Sequence, residues 1–157
     1  MNFLQKIYKK SKEQKGFTLV EMIVVLVIIA ILAAITIPAL LKYIDKAGEK
    51  QIVIDARTAY LAAETAISEA YGANELPDRN VIEFGTASIT AESDDNGKKF
   101  QKNAKELTGL TSNYKCTVTL TTDKKAITNI KFEEKGKIAT MNVTDNSSWT
   151  VSGGGIS

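Results

Sequence analysis

The 157 residues contain no histidine and a single cysteine, Cys116. Without an imidazole, Ser-His-Asp catalysis and His-ligated zinc are excluded, and one thiol can neither close an intramolecular disulfide nor build a four-cysteine zinc site. Proline is almost as scarce. Only Pro38 and Pro77 occur, and none lies from Ala39 to Gly72, so nothing there forbids a long helix. No phosphate-cradling glycine motif and no convergent pair of acids is visible, which puts an anchored enzyme last among the functional classes. No metal or cofactor is expected.

Charge is missing where it matters most. Between Glu21 and Lys42 lie twenty uncharged, mostly apolar residues. A helix of that length rises about 30 Å, the thickness of a bilayer's hydrocarbon core. The lone carboxylate of Glu21 stands at its upstream border, where an unpaired charge near lipid costs several kcal/mol, so Glu21 is a functional candidate by default. The formal net charge of +2 is uneven, because the first sixteen residues hold Lys6, Lys9, Lys10, Lys12 and Lys15 against Glu13. The remainder has 20 − 5 = 15 basic and 18 − 1 = 17 acidic side chains, a balance of −2. No general nucleic-acid footprint follows. A lysine cluster ahead of an apolar run predicts a cytoplasmic N-terminus and an external C-terminal bulk.

A secretory signal peptide has a shorter apolar core that ends in a small-x-small site, whereas here the small residue, Gly16, precedes the run. Lys15-Gly16-Phe17-Thr18-Leu19-Val20-Glu21 resembles the class III signal of type IV prepilins and pseudopilins. That resemblance implies cleavage by a prepilin peptidase between Gly16 and Phe17, N-methylation of Phe17, and neutralisation of the Phe17 amine of one subunit by Glu21 of a neighbour. Glu21 lies four residues after Phe17, one helical turn on. It also implies that the segment around Pro38 unwinds on assembly, and proline chemistry alone predicts a kink or weak point from Ala34 to Pro38. The long lysine-rich leader and single cysteine look more like pilins of Gram-positive anaerobes, including clostridia.

Beyond Leu41 the helical pattern becomes amphipathic, with Ile52, Ala56, Ala59, Ala63, Ala66 and Ala70 on one stripe and Lys50, Asp55, Arg57, Glu64 and Glu69 off it. One helix from about Phe17 to Tyr71 is expected, with Gly72 as its C-terminal cap residue. Residues 73–113 read as a variable loop region. It holds an edge strand at Thr86–Thr90, a short helix from about Lys98 to Leu107, and Gly109 just past that helix. Glu92, Asp94, Asp95, Asn96 and Gly97 look superficially like a calcium loop but lack its twelve-residue ligand ladder, so a solvated turn is expected.

The final third alternates with period two. Tyr114, Cys116, Val118 and Leu120 form one apolar face, and Thr128, Ile130 and Phe132 another. Turns at Asp123-Lys124-Lys125 and Glu134-Lys135-Gly136 precede strands at Lys137–Val143 and Ser148–Val151, and a flexible Gly153-Gly154-Gly155 tail ends the chain. Cys116 and the only tryptophan, Trp149, are expected to pack in the core. Asn142-Val143-Thr144 and Asn146-Ser147-Ser148 fit the glycosylation tripeptide.

These elements predict an α+β fold, a long N-terminal helix packed against a C-terminal antiparallel sheet, similar to the pilin head. The expected organisation is a cleaved leader at 1–16, an apolar transmembrane and assembly helix at 17–41, and a head at 42–157 whose sheet occupies 114–151. The expected function is that of a type IV pilus subunit used for adhesion, motility or biofilm. The alternative is a pseudopilin of a type II secretion or competence DNA-uptake system. Expected partners are further copies of the chain, a prepilin peptidase, the membrane assembly machinery and, before assembly, the lipid bilayer, with no firm nucleic-acid or small-molecule ligand. The precursor is expected in the cytoplasmic membrane and the product in an extracellular pilus.

Overall fold

A computed structural model describes residues 16–87, 94–145 and 148–153. The lysine-rich leader, Ser88–Thr90, Glu92, the Asn146-Ser147 part of the second tripeptide and the Gly154-Gly155 tail lie outside them. The chain divides into two compact units, Met1–Tyr43 and Ile44–Ser157.

From Leu19 on, the first unit is helix, the beginning of α1 (Leu19–Gly72). From Met22 to Leu41 the side chains are exposed apart from the half-buried Ala33. Isoleucine and valine disfavour helix in water, but where backbone groups have no solvent partner the helix satisfies them all.

The second unit pairs the rest of α1 with a sheet. Ile52, Ala56, Ala59, Ala62, Ala63, Ala66 and Ile67 are buried, most of them in one core with inward side chains of the sheet. Ala70 is only half-buried. Asp55, expected off the stripe, is buried, because it stands three residues after Ile52 and four before Ala59, on the covered arc. The helix ends differently from expectation as well. Gly72 is still helical, and Asn74 is the residue that turns left-handed, at φ 56°. The Glu75 amide then reaches back to the carbonyl of Ala70 at 2.8 Å. Asparagine tolerates that conformation, so no glycine is needed there.

Five antiparallel strands follow in simple meander order: β1 (Val81–Gly85), β2 (Tyr114–Leu120), β3 (Ile127–Glu134), β4 (Lys137–Asn142) and β5 (Thr150–Ser152). The edge strand therefore lies upstream of Thr86, where Ile82 and Phe84 turn inward and pair opposite Val118 and Cys116. Between β1 and β2 comes α2 (Asp95–Thr108), three residues longer at its start than the apolar spacing suggests. The extension has a cause: Asp94 caps it, its Oδ2 accepting from the Gly97 amide at 2.6 Å. Gly109 closes the far end in the left-handed region, as expected. Residues 73–113 thus hold a strand and a 14-residue helix.

The core is aromatic at its centre. Tyr114 and Phe132 stack with centroids 5.3 Å apart, and Phe84 meets Phe100 of α2 edge-on at 6.3 Å. Cys116 is fully buried on the same face, and half-buried Trp149 packs against the cluster. The β3–β4 turn is the two-residue kind with positive φ at both Lys135 (48°) and Gly136 (75°), the geometry that matches strand twist. The β2–β3 pairing shifts register between Thr119 and Leu120.

Candidate functional site

The amino-terminal border of α1 is built by Thr18. Gly16, Phe17 and Thr18 precede the helix, and the Thr18 hydroxyl oxygen accepts a hydrogen bond from the Glu21 amide at 3.2 Å. The Thr18 carbonyl accepts from the Met22 amide, also at 3.2 Å. Thr18 is thus the N-cap residue, and Thr18-Leu19-Val20-Glu21 has the spacing of a capping box. This role of Thr18 was readable in that spacing and is additional to the expected site residues. One expectation changes: Phe17 lies before the first helical residue, so the four-residue spacing does not put Phe17 and Glu21 on one helical turn. The Thr18 cap is the physical reason, since its side chain takes the place of a further turn of backbone.

Phe17 is 75% exposed. Glu21 sits in the first turn, where the aligned peptide dipoles favour a negative charge, and is itself exposed. Its carboxylate has no partner among the described residues. Nothing lies within 4 Å of where a Cβ on Gly16 would stand, and its φ is not left-handed.

Pro38 lies inside α1, which is helical on both sides of it without interruption. Its missing N–H leaves the carbonyl of Ala34 without the usual donor. Two residues earlier, the Thr36 hydroxyl donates to the Leu32 carbonyl at 2.6 Å, a bond that loosens helices. Two departures from regular backbone pairing thus fall within one turn and a half, the stretch expected to be weak.

Elsewhere acids and polar groups serve turns and caps. Asp95 pairs with Lys98 at 3.2 Å, and Asp94 is committed to its cap. The Thr121 hydroxyl donates to Asp123 and holds its carboxyl below the usual range. Asp145 accepts from Asn142 at 2.7 Å. Among the described residues no three of Cys, Asp and Glu converge as metal ligands. Burial pushes the Cys116 thiol well above its ordinary value, which leaves it an inert apolar filler. In the second unit α1 also exposes Ile54 and Leu61, seven residues apart and so on one face.

The family profile described as the prokaryotic N-terminal methylation motif matches residues 11–37. Fimbrial protein Q of Moraxella bovis is 43% identical over 56 residues, 36% of this chain and 36% of that protein. The type IV major alpha-pilin of the same organism is 29% identical over 113 residues, 72% and 71% of the two chains. Over its amino-terminal part the chain is similar to type IV pilins. Core protein G of the type II secretion system of Vibrio cholerae is 47% identical over 47 residues, 30% of this chain and 32% of its own length. The chain spans little more than a third of the first curated relatives it matches, 36% and 38% of their length. No solved structure matches it.

Proposed function

We propose that the chain is a structural, non-enzymatic subunit of a type IV pilus, cut by a prepilin peptidase after Gly16, N-methylated at Phe17 and polymerised through α1 into a surface filament for adhesion, motility or biofilm. The observation that carries this reading is the bare apolar surface from Met22 to Leu41, which no described part of the chain covers, bordered by a Glu21 carboxylate without a partner among the described residues. Such a surface is stable only against lipid or against other copies of itself. The precursor therefore sits in the cytoplasmic membrane with its lysine-rich end inside, and assembly machinery there exchanges lipid for neighbouring helices.

Gly16 supports the cut, because the chain's own packing leaves room for a side chain there while a peptidase backbone needs close approach. Glu21 would meet the Phe17 amine of a neighbour, each charge offsetting the other's cost in an apolar bundle. Pro38 would let α1 open in the assembled fibre. Mass spectrometry of sheared surface fibres tests the reading. A chain that begins at methylated Phe17 is expected, and fibres lacking this chain would overturn it.

The second reading, a pseudopilin of a secretion or DNA-uptake system, is favoured by the 47% identity to a type II secretion core protein. It predicts the same processing without long extracellular fibres.

A further inference from the structure

Within the second unit, the buried face of α1 begins at Ile52. Upstream of it the helix is exposed, with two exceptions. Asp45 and Gly48 are half-buried, while every other residue from Lys42 to Gln51 is open to solvent. Asp45, Gly48 and Ile52 follow one another at three- and four-residue spacing, so they continue the face that the sheet covers further on.

One side chain reaches both. Lys137, the first residue of β4, donates from Nζ to the Asp45 carbonyl oxygen at 3.1 Å. A helical carbonyl has two lone pairs, and the amide four residues on takes only one, so the ammonium adds to the helix bond instead of competing with it. Being charged, the donor makes one of the stronger bonds of its kind. No carboxylate among the described residues lies within ion-pair distance of Lys137 to draw it elsewhere. Its backbone is fixed too, because Lys137 pairs with Glu134 across the tight β3–β4 turn.

Gly48 admits the lysine. A Cβ there would stand 3.0 Å from the nitrogen and 3.4 Å from Cε, so any larger residue presses on the side chain. Inside a helix glycine also favours opening relative to alanine. The intrinsically weakest residue of this stretch and the cation that lies across it thus occur together.

We infer that Lys137 is a latch on α1: its ammonium, seated on the Asp45 carbonyl over Gly48, stops opening of the helix around Pro38 from running on into the second unit.

The stretch at Pro38 is loosened by the missing N–H of the proline and by the Thr36 hydroxyl on the Leu32 carbonyl. Helix opening spreads from such a point, because each broken bond removes support from its neighbour. Asp45 lies seven residues, or about two turns, beyond Pro38. There the next carbonyl is held from outside the helix, by a residue of the sheet. Without the lysine, the first anchored residue is Ile52, about two turns further on. The latch acts within one copy of the chain, so it is independent of whether that copy serves a pilus or a secretion apparatus.

The test is amide hydrogen exchange along α1, on the full chain in non-ionic detergent micelles. Lys137→Met keeps most of the stem and removes the ammonium. Exchange from Ala47 to Gln51 is expected to quicken several-fold in that variant, with Ala59–Ile67 and Tyr114–Leu120 unchanged. Equal exchange over Ala47–Gln51 in the two chains would overturn the inference, and so would a quickening spread evenly over the whole second unit. Gly48→Ala gives an independent readout. In an unlatched helix alanine slows exchange, whereas in the wild type its methyl also displaces the lysine and cancels part of that gain. The slowing is therefore expected to be larger in the K137M background than in the wild type. Equal slowing in both backgrounds rejects the latch.

Discussion

The Glu21 amide is held 3.2 Å from the hydroxyl oxygen of Thr18, and this bond sets where the long helix starts. Glu21, the residue proposed to carry the assembly charge, is therefore presented by a capped first turn. Removing the cap should cost about 1 kcal/mol, confined to that turn. Thr18→Ala is expected to speed amide exchange at Glu21 and Met22 in micelles, with Thr18→Ser close to wild type. Unchanged exchange in the alanine chain would mean that the hydroxyl does not hold the helix start.

Glu21→Ala separates insertion from assembly. The apolar run and the leader are untouched, so membrane insertion and cleavage after Gly16 should persist while fibres disappear. Immunoblots of membranes and of sheared material read the two stages separately. Normal fibre yield would sink the proposed pairing with a neighbouring Phe17 amine.

Gly85 turns at φ 146° against the backbone carbonyl of Tyr114, where an added Cβ has no space. Gly85→Ala is expected to destabilise the head by about 1–3 kcal/mol, because a strained backbone and a backbone clash coincide. A lowered thermal midpoint in circular dichroism measures it. The same change at Gly72, with nothing within 4 Å of its Cβ, should be silent.

Cys116 has no exposure, and burial raises its thiol. A thiol reagent should therefore leave the native chain unlabelled and modify it only in denaturant. Cys116→Ser would put a hydroxyl at the same buried place at a cost of about 1–3 kcal/mol. Rapid labelling of native protein would show that β2 opens more readily than its pairing suggests.

Periodicity made most of the architecture legible. Alternation in Tyr114–Leu120 and alanine spacing from Ala56 to Ala66 each predicted the face that is buried. What escaped has identifiable causes. Val81–Gly85 is too short for alternation to stand out, and its partner β2 lies more than thirty residues on. Asp55 looks like an outward acid, because its polarity hides its place between Ile52 and Ala59 and the Gln51 amide that partners it. Asn74 took the turn assigned to Gly72, since asparagine shares glycine's tolerance of positive φ. At the amino terminus Thr18 was hidden in plain view. Its capping role is local chemistry, masked by the likeness of the same residues to a processing signal.

The meander order of the sheet bears on how the protein is made. Each strand after β1 lies beside the one just before it in the chain, so every new strand can join a template that already exists. From β2 onward the connections are short, and short loop closures of this kind fold quickly. A head exported behind its helix, as proposed, builds itself outward from β2, strand by strand, without waiting for its last residues. Under that proposal few naked β edges stay open long enough for copies to find each other instead.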